Sequence, residues 1–131
     1  MNPLAIARSI HSTTLDGTPV EGLRVVRAEG LLARLVGLLN HGSLAPSEAL
    51  WLPRTGSIHT HGMLFPIDVV FLGKGGVVLE VRTTCPPGKV VRGPFRSGGT
   101  LELAAGAAAL FGIEAGRTIA FKSAAESAPS V

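Results

Sequence analysis

Two runs of strand-forming residues, IDVVFL over 67–72 and VVLEVR over 77–82, are separated only by the glycine-rich GKGG of 73–76. Valine, isoleucine and phenylalanine suit a pleated, half-buried surface, and a short connection rich in glycine suits a chain reversal. This spacing predicts a β-hairpin. Within its first strand, Ile67, Val69 and Phe71 face one side while Asp68, Val70 and Leu72 face the other. Both runs are apolar on both faces, which predicts a hairpin in the centre of a sheet and not at a solvent-facing edge. Asp68 is the residue out of place. A carboxylate in such a strand must reach the rim or find donors, because an unpaired buried charge is costly. The expected structural solution is backbone N–H groups of the preceding turn, or an arginine; the alternative is a catalytic or ligand-binding role.

The rest of the chain reads as short elements around that hairpin. Its 131 residues suit one domain with a core of its own, and 17 glycines and 9 prolines favour tight turns over long helices. Residues 1–22 give weak signals, with turns at Asp16-Gly17 and Gly22. LRVVRA (23–28) and ALWLP (49–53) read as strands, the second ended by Pro53, with Trp51 packing and not acting. Between them, Leu31, Leu32, Leu35, Val36, Leu38 and Leu39 fall on one face of a short helix that Asn40 and Gly42 can end. Further on, Thr100–Leu103 reads as a strand, Ala104–Phe111 as an alanine-rich helix capped by Gly112, and Thr118–Phe121 as a final strand after a turn at Gly116. The expected organisation is a weakly defined segment over 1–22, a domain over 23–122 and a disordered tail over 123–131.

Charge and cysteine content narrow the function classes. The net charge is +3, and Arg82, Lys89, Arg92 and Arg96 form the one loose basic cluster. Prolines and glycines, not aromatic residues, are interspersed with these charges. A solvated basic loop is therefore expected, and no nucleic-acid partner. No apolar run approaches the roughly 20 residues of a spanning helix, and the start MNPLAIARSIHSTT lacks the basic region of a secretory signal. A cytoplasmic protein is the default. The single Cys85 excludes an internal disulfide, and its place at the head of the CPPG turn favours exposure.

Several residues have chemistry to offer. His59 and His61, an H-x-H pair on an extended segment, project to one face and could both ligate a transition metal. Two ligands do not complete a site, and Asp68, Cys85, His11 and His41 have no defining spacing to them, so no metal or other cofactor is expected. The bland alternative makes His59 a hydrogen-bonded structural histidine and His61 a partly exposed loop residue. Ser57 and Cys85 are possible nucleophiles, each needing a base and an oxyanion hole that the sequence does not display. Glu80, Glu102 and Asp68 supply carboxylates without a visible acid/base pair. Gly73, Gly75 and Gly76 lead into a strand and not a helix, so they form no phosphate-binding fingerprint.

Three segments in order, ARLVGLL (33–39), SIHTHGMLFPIDVVFL (57–72) and LELAAGAAALFGIEAGRTI (101–119), resemble the DUF192 family, also called UPF0127, of small bacterial and archaeal proteins. The resemblance rests on Arg34, Gly37 and Leu38; on Ser57, His59, Thr60, Met63, Phe65, Pro66, Ile67 and Asp68; and on Leu101, Glu102, Leu103 and Gly106. It implies a mainly β (α+β), compact, barrel-like domain with two or three short helices, and no particular reaction. The chain departs from the family pattern at Thr55, near His61 and Gly62, at Leu64, and at Arg117, where relatives often carry an aspartate after the glycine. The function expected is a small noncatalytic binding or accessory module, with a rim or cleft around residues 57–68. Its candidate ligand-binding residues are Arg34, Ser57, His59, His61, Met63 and Asp68. The partner would be a small molecule or a protein, and the apolar surplus is compatible with a homodimer. The competing expectation is a metal-dependent or hydrolase-like enzyme using His59 and Asp68.

Overall fold

A computed structural model describes residues 8–27, 44–61 and 63–123. The helix expected over 31–39, with Arg34, lies outside the described residues, as do His41 and the tail from 124 onward. The elements in order are β1 (Arg8–Leu15), β2 (Thr18–Pro19), β3 (Arg24–Arg27), β4 (Glu48–Pro53), β5 (Ser57–His59), β6 (Ile67–Leu72), β7 (Val78–Cys85), β8 (Val90–Arg92), β9 (Gly99–Ala104), α1 (Ala107–Leu110) and β10 (Ile119–Ser123). The strands form a large sheet in the order β10-β1-β3-β4-β9-β6-β7, with β2 added on β1, and a separate ribbon of β5 and β8. Every pairing is antiparallel except β3 with β4. The fold is mainly β, and α1 is the one α-helix among the described residues.

The hairpin forms as the sequence predicts, with Lys74–Gly76 turning through one 3-10 turn. Gly75 and Gly76 both take positive φ there, and a side chain on Gly76 would run into the carbonyl oxygen of Ile119. The two strands differ in position, however. All six residues of β6 are buried between β9 and β7, whereas β7 pairs along its length with β6 alone and exposes Arg82, Thr83 and Thr84. The hairpin is thus half central and half edge, because β7 carries its polar residues on the open side. That edge is partly closed at one corner. Val77 bridges Thr118, the Val78 N–H donates to the Arg117 carbonyl at 2.7 Å, and the Gly116 N–H donates to the Val78 carbonyl at 2.8 Å. The two ends of the sheet meet through this bridge, and no continuous ladder closes a barrel among the described residues.

The core runs along both faces of β6 and β9 and includes Val25, Leu50, Leu52, Phe71, Leu101 and Leu103. Burying such side chains is the main stabilising term, at roughly 1.5–3 kcal/mol each. β1, weakly signalled by its sequence RSIHSTTL, pairs with β10, β3 and β2. Its order comes from these partners more than from an apolar pattern of its own.

One polar clasp ties the end of the first strand to the approach to the last, its neighbour in the sheet. At the β1–β2 turn, the Asp16 N–H donates to the Thr118 carbonyl, and its carboxylate accepts from the Thr118 N–H and from Arg117 Nε, each at 2.8 Å. The Thr118 N–H, followed by the Arg117 guanidinium, holds the Asp16 carboxyl below its usual value. A lowered folded-state value means that the stabilisation is complete above the ordinary carboxylate range and disappears as the pH falls through the folded value. Asp16→Asn should therefore lower the melting temperature at neutral pH. The gap between variant and parent should narrow in acid melts, and a gap independent of pH would contradict this account.

Candidate functional site

Residues 57–59 stand apart from the large sheet and pair instead with the residues that follow the CPPG turn. In the ribbon, Ser57 stands opposite Arg92, Ile58 opposite Val91, and His59 opposite Val90. Strand alternation then divides the residues cleanly. Ile58 and Val91 point into the core, while Ser57, His59, Val90 and Arg92 are exposed. His61 is exposed as well, and its ring centroid lies 5.7 Å from that of His59. Among the described residues, neither imidazole makes a hydrogen bond. His59 is therefore not the hydrogen-bonded structural histidine of the bland expectation, because Ile58 occupies the inward position and alternation turns His59 to solvent. The basic loop expected around Lys89 and Arg92 is in part this second strand.

Thr60 locks the ribbon in place. It is fully buried, and its Oγ1 donates to the Pro86 carbonyl at 2.7 Å while accepting from the Lys89 N–H at 2.8 Å. Its backbone N–H donates to the Lys89 carbonyl, and its own carbonyl accepts from Gly88 and Met63. One short side chain thus satisfies the polar backbone of two neighbouring turns. Nothing in the local sequence marks this role, since its partners lie 26 and 29 residues away.

Asp68 solves its burial problem with backbone donors, but not those of the preceding turn. Its Oδ1 accepts from the Thr84 N–H at 2.9 Å, and its Oδ2 accepts from the N–H groups of Gly106 and Ala108 at 3.0 and 3.1 Å. The first bond holds a bulge. Ile67 pairs with Cys85 and Val69 with Arg82, so Thr83 and Thr84 together oppose Asp68, and Thr84 takes a φ of 51°. The other two bonds supply, from β6, the cap that Gly106 cannot give to α1. With both oxygens engaged and no exposure, this carboxylate is a structural acceptor. Asp68→Asn places an N–H₂ against at least one of these donors and should cost roughly 2–4 kcal/mol in urea denaturation. An unchanged midpoint would show that the three bonds are dispensable.

The remaining candidates separate in the same way. Met63 packs into the core. Cys85, expected at the surface, is buried, and its thiol donates to the Arg82 carbonyl at 3.6 Å. Burial pushes the thiol up, against the opposing effect of Arg82 and with a further upward push from Asp68. It should react with iodoacetamide at neutral pH about tenfold more slowly in the native protein than in urea. Equal rates would place it in an open, activated setting. Among the described residues, no group of three or more His, Cys, Asp or Glu side chains is placed to hold a metal ion.

A concavity of about 420 Å³ is lined by Trp51, Phe121 and the Gly73–Gly76 loop. The two rings pack 5.0 Å apart, and Trp51 occupies the space that a side chain on Gly99 would need. Trp51 is thus a packing residue, as its strand context predicts.

The model of the DUF192 family, described as "Uncharacterized ACR", matches residues 12–121. The match begins within β1, at residue 12, and so takes in part of the segment that the sequence leaves weakly defined. No curated protein matches the chain. Among solved structures, a protein of unknown function from Novosphingobium aromaticivorans is similar over 85% of this chain and 84% of its own, at 21% identity and a TM-score of 0.69. A protein from Sinorhizobium meliloti, described as a proposed transcription regulator, is similar over 76% of this chain and 81% of its own, at 20% identity and a TM-score of 0.64. At these identities the likeness is one of fold.

Proposed function

Since this chain belongs to the DUF192 family, whose description assigns no activity, we propose that it is a small noncatalytic binding module whose capture surface is the exposed face of the β5–β8 ribbon. The observation that carries this reading is the row Ser57, His59, Val90 and Arg92, presented to solvent on a strand pair whose other face is anchored in the core. His61 extends the row past the end of β5. Ser57, His59, His61 and Arg92 have hydrogen-bonding or charge capacity that no described partner uses, on a backbone held rigid by Thr60. Preorganisation of that kind lowers the cost of binding.

The enzyme alternative would need His59 and Asp68 to work on one substrate. Asp68 is fully buried with both oxygens occupied, whereas His59 faces solvent, and this favours the binding reading. Of the six candidate residues, Ser57, His59 and His61 remain the binding set, with Met63 and Asp68 as its support.

A thermal-shift screen of the purified protein against small molecules and divalent metals tests the proposal. His59→Ala and Arg92→Ser should each weaken capture of a hit at least about fivefold, with the melting temperature of the free protein unchanged. Hits that ignore both substitutions would sink the ribbon as the capture surface. Stoichiometric metal lost on replacing His59 and His61 would favour the metal-dependent alternative.

A further inference from the structure

The ribbon joins two stretches of chain with an unusual charge balance. Residues 49–67 and 81–101 hold Arg54, Arg82, Lys89, Arg92 and Arg96, five of the 12 Lys and Arg residues, and none of the 9 Asp and Glu. Among the described residues, only Arg82 of these five has a carboxylate partner, Glu80 at 2.8 Å. The other four are exposed. Four exposed cations without a carboxylate partner among the described residues thus fall in and next to the segments that form the ribbon.

The same part carries three of the most exposed apolar side chains, Leu64, Val90 and Phe95, at 75%, 61% and 104% of full exposure. Phe95 is the informative one. It sits with Arg96 at the centre of the turn Pro94–Ser97, which the Ser97 N–H and Oγ close onto the Pro94 carbonyl at 3.0 and 2.7 Å. The turn is fastened on both sides. The Gly93 N–H donates to the Gly56 carbonyl, the Gly98 N–H to the Leu72 carbonyl, and the Arg54 N–H to the Gly98 carbonyl. Gly93 itself lies so close to the buried Phe71 ring that a side chain there has no room. A bare phenylalanine is thus held out on a rigid support between two arginines.

We propose that this face docks on an anionic lipid bilayer, Phe95 entering the headgroup layer while Arg54, Lys89, Arg92 and Arg96 meet lipid phosphates. The inference rests on the reading of the ribbon as the binding surface and names its partner. A protein partner would favour a contiguous apolar centre with a polar rim. Here Leu64, Val90 and Phe95 are separate points along the chain, with Lys89 and Arg92 between them. A fluid surface accepts each point independently, and its charge complements the four cations that remain once Glu80 has neutralised Arg82. None of the described helices is long and apolar enough to cross a membrane, so the contact would be peripheral.

Flotation of the full chain with phosphatidylcholine vesicles, with and without phosphatidylglycerol, tests the inference. Binding should require phosphatidylglycerol and weaken with salt. Phe95→Ser should reduce partitioning about tenfold, and Arg92→Ser with Arg96→Ser about twentyfold. Arg24→Ser, which removes an exposed cation outside both stretches, should change it less than about twofold. No binding to the anionic vesicles, equal binding to both vesicles, or an equal loss with Arg24→Ser would overturn the proposal. So would binding to polyglutamate that needs the arginines but not Phe95, which would identify an acidic protein surface instead. Loss of vesicle binding in a protein whose soluble ligand still depends on His59 would overturn this inference and leave the ribbon's binding role standing.

Discussion

A single carboxylate, Asp68, carries three separate local conformations of this fold. It is fully buried on β6, one strand in from the sheet's edge, where an ionised side chain without donors would cost several kcal/mol. Three backbone N–H groups converge on it, one from the β7 bulge at Thr84 and two from the start of α1. Each is itself a group that would otherwise be stranded: Thr84 lies at a strained φ, and the short α1 has no cap of its own. The strand, the bulge and the helix satisfy one another, so none is easily changed alone. The bulge also determines how β7 leaves the sheet toward Cys85, Pro86 and Pro87, and hence where β8 begins.

From that exit the dependence passes to Thr60. Its hydroxyl and backbone bind both sides of the turn over Pro86–Lys89 and so bring β8 alongside β5. The ribbon inherits its position from the core without contributing a buried charge to it. Ile58 and Val91 on its inner face supply the apolar anchorage, which leaves the outer face free of packing duties. Rigid placement and chemical freedom on opposite sides of the same two strands are what a binding surface requires.

The parts legible in the sequence are those where the period of the side chains and the burial agree. β4, β6, β7, β9 and β10 are rich enough in apolar and strand-forming residues, and well enough bounded by turn residues, that their strands follow from composition, and Asp68 stands out against them for the same reason. β1 escapes notice because RSIHSTTL has no strong apolar period, and three partner strands order it from outside. β5 and β8 are three residues each and bordered by proline, glycine and charge, too short for a pattern to emerge. Cys85 misleads because a CPPG turn is usually a surface feature, whereas here the residue closes β7 against the core. The role of Thr60 depends on contacts across 26 to 29 residues, a distance no local motif spans.

The positions that carry the resemblance to DUF192 can now be divided by what the fold asks of them. Thr60, Met63, Ile67, Asp68, Leu101, Leu103 and Gly106 are accounted for by packing, by the latch at Thr60 or by the carboxylate network. The departures at His61 and Leu64 are exposed, and a change there alters no buried contact. Arg117 also departs, and its cation finds its carboxylate in Asp16 across the turn. Ser57 and His59 belong to neither group: both match the family pattern, yet both face solvent, and neither side chain has a hydrogen-bond partner among the described residues. Stability cannot explain why a histidine should stand at the outward position of a short ribbon, since a surface substitution away from special features is usually worth less than about 0.5 kcal/mol. The binding role proposed for the ribbon face would supply such a requirement from outside the folded chain.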